Sequence, residues 1–201
     1  MTTARRPNPQ SQAGFTLMET LVVLAVVGIL LLISAPAFLR MINRYKLTGT
    51  TRELASLMQA ARMEAIKLNA PAQVNYDTTV NGFFAFVDLD RDGTLSAPDR
   101  ILAGRVPIPV KVEFWGPGDG AANGANAIDG WDDAPAALGP VFRPDGSADR
   151  VGAFRLKDSN DNYIEVRIET PATGRIVLKK YFPADTKFFL NGEENHQWTW
   201  Y

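Results

Sequence analysis

The sequence predicts an α+β protein with a long, kinked N-terminal helix. Its first half is apolar enough to span a membrane, and its second half packs on an antiparallel β-sheet domain. Three observations predict this. Residues 15–38 form an almost uninterrupted apolar run. The following thirty or so residues keep a helical period but carry apolar side chains along one stripe. Beyond Pro71, short alternating segments separated by Gly, Pro and Asp take over.

The opening segment, residues 1–13, is polar and carries Arg5 and Arg6 with no acid. A helix from Phe15 to Phe38 would extend about 36 Å, more than the roughly 30 Å of a hydrocarbon core. The preceding arginines favour a cytoplasmic N-terminus with the remainder outside. A secretory signal peptide is the rival reading, with Ser34-Ala35-Pro36-Ala37 as its cleavage site. Two features count against it. The run is longer than a usual signal core, and it holds a carboxylate, Glu19, near its start. An unpaired charge at that depth costs a few kcal/mol or more, which a soluble secreted product has no reason to carry.

The run Gly14-Phe15-Thr16-Leu17-Met18-Glu19, followed by Leu21-Val22-Val23-Leu24-Ala25-Val26-Val27-Gly28-Ile29-Leu30, resembles the leader and anchor of type IV pilins and type II secretion pseudopilins. The resemblance implies cleavage by a prepilin peptidase between Gly14 and Phe15, and N-methylation of Phe15. It makes Glu19 the carboxylate that pairs with a neighbouring subunit's amine during assembly, and Pro36 the site of the helix kink. An ammonium and a carboxylate can neutralise one another across subunits in a low-dielectric bundle. The expected segments are therefore a prepilin leader at 1–14, a membrane-spanning half-helix at 15–38, an amphipathic half-helix at 39–70 and a periplasmic β-rich domain at 71–201.

The amphipathic half is marked by Leu47, Thr51, Leu54, Met58, Ala61, Ala65 and Leu68 at steps of three and four. Arg52, Glu53, Gln59, Arg62, Glu64 and Lys67 occupy the other faces, read as solvated. No Gly or Pro interrupts residues 50–70, and Pro71 supplies the stop. Its end, Leu57-Met58-Gln59-Ala60-Ala61-Arg62-Met63-Glu64-Ala65-Ile66, is similar to that of the GspH/FimT group of minor pseudopilins and minor pilins.

Strands are expected at 72–78, 82–88, 100–104, 108–115, 140–143, 151–157, 162–170 and 174–181. Ile164, Val166 and Ile168 alternate toward a core, and Thr173-Gly174-Arg175 turns into Ile176-Val177-Leu178 as a hairpin. This hairpin and the stretch FRPDG extend the resemblance over most of residues 14–182. Residues 116–140, dense in Gly, Ala, Asn, Asp and Pro, read as a long loop without regular structure. Trp131 within it either pins the loop to the sheet or is presented to a partner. The tail, with Trp198, Trp200 and Tyr201, either closes the sheet or forms a contact patch.

Residues 88–99 carry a second motif. With Asp88 as position one, Asp90, Asp92 and Asp99 fall at three, five and twelve, with Gly93 at six. This is the spacing of an EF-hand calcium loop, in which Thr94 offers its backbone carbonyl. Asp99 is shorter than the usual glutamate, and the segment before the loop reads as a strand. A calcium site and a plain acidic hairpin both remain open.

Composition excludes several function classes. The chain has no cysteine, hence no disulfides and no thiolate chemistry. Its one histidine, His196, lies among Glu193, Glu194 and Gln197 in what reads as an exposed tail, with no nucleophile near it. Removing Arg5 and Arg6 with the leader leaves 19 basic against 22 acidic side chains, so charge gives no reason to expect a nucleic-acid partner. Arg143, Arg150, Arg155 and Lys157 are where a basic patch would have to be built. No enzyme is expected. The resemblance implies a single-pass inner-membrane subunit with other pseudopilins or pilins as partners. It would serve a type II secretion pseudopilus as initiator or tip, or alternatively a type IV pilus.

Overall fold

The structure is a computed structural model that describes residues 15–119, 126–131 and 139–198. The expected leader, residues 1–14, lies outside the described residues, as do Trp200 and Tyr201 of the tail. Chain contacts define two units, Met1–Leu39 and Arg40–Tyr201.

In the first unit, the helix α1 (Leu17–Leu68) begins at Leu17. Thr16 caps it, because its Oγ1 and its carbonyl both accept the Glu19 amide, at 3.2 and 3.1 Å. Every residue from Phe15 to Leu39 is exposed. Among the described residues, α1 is the one helix long and apolar enough to cross a membrane. An apolar surface this extensive calls for lipid or other apolar helices around it. Pro36 lies inside the helix, where its missing N–H removes one backbone hydrogen bond without ending it.

In the second unit, α1 runs on to Leu68. Asn69 then turns left-handed (φ 49°), and the Ala70 amide closes back on the Ala65 carbonyl at 3.2 Å. The predicted stripe is the buried one: Leu47, Thr51, Leu54, Met58, Ala61 and Ala65 are all inaccessible, and Leu68 packs at its edge.

Among the described residues ten strands follow: β1 (Ala72–Asp77), β2 (Gly82–Val87), β3 (Arg100–Pro107), β4 (Val112–Phe114), β5 (Ile128–Asp129), β6 (Val141–Phe142), β7 (Gly152–Asp158), β8 (Tyr163–Thr170), β9 (Arg175–Phe182) and β10 (Lys187–Phe189). They form two antiparallel sheets, ordered β3-β2-β1-β6 and β10-β9-β8-β7-β4, with β5 added to β7. The helix stripe, Val74, Phe83 and Phe142 from the first sheet, and Phe154, Val166 and Ile168 from the second share one core. Ile164, Val166 and Ile168 face it as the alternation predicts.

Three expectations need correction. Of residues 108–115, only 112–114 form a strand, because the Val112 amide first closes a turn onto the Pro109 carbonyl at 3.0 Å. The 116–140 segment is not wholly irregular: Ile128 and Asp129 pair with Phe154 and Ala153. Trp131 pins it, being 1% exposed and 4.8 Å from Phe154 between ring centroids. Gly152 makes the space for it, since a Cβ there would meet the indole at 2.3 Å. Upstream, the Asp119 carboxylate accepts the Gly116 amide (2.8 Å), the Asn126 amide (3.2 Å) and the Asn126 side-chain amide (3.0 Å).

The tail is also less exposed than expected. His196 stacks on Phe189 with ring centroids 3.8 Å apart, and its Nε2 lies 2.7 Å from Asp185 Oδ2. The Asp185 hydrogen bond raises the imidazole's pKa above its usual range, against a smaller opposing effect of desolvation. Trp198 is buried, which favours the closing role for the described part of the tail.

Candidate functional site

The assembly residues predicted from sequence occupy the first turn of α1. Phe15 is 79% exposed, and Gly14 lies outside the described residues. Glu19 stands in the helix's first turn, where the N-terminal end of the helix dipole favours a carboxylate. Thr16 and Glu19 also have the spacing of a capping box. No described cation of the same subunit forms an ion pair with Glu19.

The acidic loop joins β2 to β3, so both of its flanks are strands rather than the helices of an EF-hand. The predicted carboxylates do converge. One oxygen from each of Asp88, Asp90, Asp92 and Asp99 lies within 4.8 Å of the others. The chain aims them through its own backbone. Asp88 accepts the Asp92 and Gly93 amides at 3.1 and 2.9 Å, and Asp99 accepts the Leu89 and Ser96 amides at 2.8 and 3.0 Å. Gly93 turns left-handed at φ 79°, as position six requires. Thr94 donates its amide and its hydroxyl to Asp92 at 2.7 and 2.9 Å. Asp90 accepts the Ser96 hydroxyl at 3.2 Å.

Two ties fix the loop to the end of the helix. The Asp88 amide donates to the Pro71 carbonyl (2.8 Å), and Arg91 donates to the Asn69 carbonyl (3.1 Å). Asp88 is 2% exposed. Burial first, then neighbouring Asp90 and Asp99, push its carboxyl above the usual range against the pull of two backbone amides. Asp92 is held below that range by the Thr94 amide and hydroxyl. Four hard oxygen donors in one cluster are the donor set that suits calcium.

Sequence reasoning missed the role of Arg62 and Glu64, which it read as solvated. Arg62 Nε donates to the Gly146 carbonyl at 2.8 Å, across 84 residues. Gly174, at φ 56°, sits so close that a Cβ would meet the Gly146 carbonyl at 2.6 Å and Arg62 Nε at 2.8 Å. Glu64 pairs with Arg100 at the start of β3 (3.2 Å) and with Lys67 (3.1 Å). The helix end is thereby bolted to the turn after β6, the turn before β9 and the start of β3. The only signal in the sequence was the joint presence of the Arg62 segment, FRPDG and TGR.

Three of the four cations suggested for a basic patch are engaged elsewhere. Arg155 and Arg167 clasp the buried Glu165 at 3.1 and 2.9 Å, and both reach Asp129, at 2.8 and 2.6 Å. Arg150 pairs with Asp149, and Lys157 lies 3.7 Å from the Trp115 ring centroid.

The family model Type II transport protein GspH matches residues 50–174, and the Prokaryotic N-terminal methylation motif matches residues 9–35. A curated relative, the pilin-like protein PilA1 of Thermus thermophilus, is 38% identical over 79 residues, covering 39% of this chain and 49% of that protein. The chain thus spans about half the length of the curated relative that it matches. No solved structure matches significantly.

The Arg62 bolt yields a stability prediction. Arg62→Ala should lower unfolding stability by about 2 kcal/mol, the value of a hydrogen bond to a charged group. Arg62→Lys should recover only part of it, because an ammonium lacks the guanidinium's fixed geometry. Lys67→Ala, which removes an exposed pair, should cost under about 0.5 kcal/mol. Urea unfolding of the full chain in nonionic detergent measures all three, and an Arg62→Ala cost no larger than that of Lys67→Ala would refute the role.

Proposed function

The chain belongs to the type II transport protein GspH family, and on that premise we propose that it is a minor pseudopilin of a type II secretion pseudopilus. The family is one of structural pilin-like subunits, not enzymes, and the chain is a membrane-anchored member of it. In this reading the subunit sits in the inner membrane by a single pass, with its β-rich domain in the periplasm. It then enters a filament through α1 and acts at initiation or at the tip, supporting export of folded proteins across the outer membrane. The single observation that carries the reading is the exposed apolar half-helix with a carboxylate in its first turn, followed by a globular unit of the GspH type.

Prepilin peptidase would cut between Gly14 and Phe15, and Phe15 would then be methylated. Glu19 would meet the Phe15 amine of an adjacent subunit, and Pro36 would provide the bend. Mass spectrometry of the mature chain should find an N-terminal methylphenylalanine at Phe15. Glu19→Ala should be cleaved normally yet be absent from sheared filaments. A mature protein beginning elsewhere would overturn the assignment.

The likeness to a pilin-like protein favours a second reading, a FimT-like minor pilin of a type IV pilus, with DNA uptake as one of its outputs. Gene deletion separates the two. The pseudopilin reading expects loss of exoprotein secretion with piliation and transformation intact, and the pilin reading expects the reverse. Normal behaviour in all of these assays would overturn an assembly role for this copy.

For the loop after β2, the reading includes a calcium ion held by Asp88, Asp90, Asp92 and Asp99, with the Thr94 carbonyl completing the set. Convergence of the four carboxylates supports it. With dissociation constants in the range of extracellular modules, 5 mM calcium should add about 1–2 kcal/mol of stability, or roughly 2–8 °C in melting temperature. The effect should fade under acid, since binding needs the carboxylates ionised. Asp90→Asn/Asp92→Asn should abolish the response. No heat and no stabilisation in the unmodified chain would leave an acidic hairpin only.

A further inference from the structure

Beyond Phe189 the chain folds back on itself in a tight turn. The Leu190 amide donates to the Glu193 carboxylate (2.7 Å), the His196 amide to the Glu193 carbonyl (2.8 Å) and the Gly192 amide to the His196 carbonyl (2.8 Å). The Trp198 amide then donates to the Asn191 side-chain oxygen at 3.1 Å. Gly192, Glu194 and Asn195 all take positive φ, at 87°, 46° and 65°. Glycine enters that region freely and asparagine readily, whereas glutamate does so only at a cost. The turn is therefore set partly against local preference and needs a contact that keeps it closed.

His196 is where this turn meets the sheet. Its ring lies flat on Phe189 of β10 and edge-on to Phe182 of β9, 4.5 Å away between centroids, while Nε2 reaches the carboxylate of Asp185 in the β9–β10 turn. Other charged groups surround it on each element. Glu193 is turned to the Leu190 amide, and Glu194 is exposed. Lys187 and Lys180 stand opposite Phe182 and Phe189 in the β9–β10 register. Lys180 and Arg44 of α1 line one cavity with Gln197 and Trp198.

Histidine is the side chain whose charge changes near neutrality, so a turn closed through it responds to pH. The Asp185 hydrogen bond favours the charged ring and raises its pKa above the model value of 6.5, against desolvation. A raised folded-state value sets the sign. The pair contributes fully below the ordinary histidine range, and its contribution is lost as pH rises through the raised value. Asp185 is 46% exposed, so water screens the pair, and its effect on an opening equilibrium is about two- to fivefold. We propose that His196 and Asp185 form a pH-sensitive clasp, which keeps residues 190–198 closed against β9 and β10 while the imidazole is charged and loosens them when it is neutral. Opening uncovers Phe189 and Trp198, both buried in the closed form.

The test uses the full chain, without a histidine tag, in maltoside detergent. His196 is the one histidine in the sequence, so its imidazole resonance is unambiguous in an NMR titration. Hydrogen exchange of the segment 190–198, corrected for the intrinsic rate, follows opening from about pH 5.5 to about 8.5, the range in which histidine titrates. Protection should fall about two- to fivefold in step with the imidazole, whose midpoint should lie above 6.5. Asp185→Asn should lower that midpoint. His196→Gln, which keeps a donor but does not titrate, should show protection that is level with pH. The turn in which the Arg143 amide donates to the Ser147 carbonyl is the internal control and should stay level. A midpoint at or below the ordinary value, protection that does not follow the titration, or an equal fall in His196→Gln or in the control turn would overturn the clasp. The first two measurements need only the unmodified chain, so a variant that fails to fold does not protect the proposal.

Discussion

The globular unit depends on one face of a single helix. Leu47, Leu54, Met58, Ala61 and Ala65 are inaccessible to solvent, and neither sheet has another helix to cover it among the described residues. The stripe's small members, Ala61 and Ala65, are buried near the helix end. There Arg62 and Glu64 reach out from the flanks to Gly146 and Arg100. Apolar burial supplies most of the driving force and has no direction. The two polar contacts supply the direction, fixing how far along the helix each sheet docks. Gly174 belongs to the same constraint, because any side chain there would collide with both the turn carbonyl and the guanidinium.

This division explains what was legible in the sequence. The stripe, the β7–β9 meander and the start and stop of α1 are encoded by neighbours within a few residues, so periodicity and turn chemistry reveal them. The convergence of Asp88, Asp90, Asp92 and Asp99 was legible for the same reason, since spacing within twelve residues sets it. What escaped is long-range. Nothing near Arg62 announces a partner 84 residues away. Ile128 and Asp129 read as loop because a two-residue strand has no alternation to detect, and only its pairing with Phe154 and Ala153 makes it one. His196 read as solvated because Phe189 and Asp185, which define its surroundings, lie on the preceding strand and turn.

Charge is deployed in this unit mainly to hold segments in place. Glu165 is almost fully buried yet lies between two arginines that also share Asp129, so the short strand β5 is secured by ions. Such a network is retained for geometry more than for net stability, because desolvation offsets much of the attraction. It also withdraws from the surface cations that a linear reading counts as free.

The staple at Asp119 has a further consequence. By gathering the amides of Gly116 and Asn126 onto one carboxylate, it brings the chain after β4 and the chain before β5 together, while Trp131, beyond β5, is held in the core. Chain between two such fixed points can change in length at little cost, since each doubling of a closed loop adds only about 0.6 kcal/mol of entropy. The fold can therefore carry different insertions at that place without disturbing the register of the sheet beneath, leaving selection free to vary what this subunit displays while its scaffold stays the same.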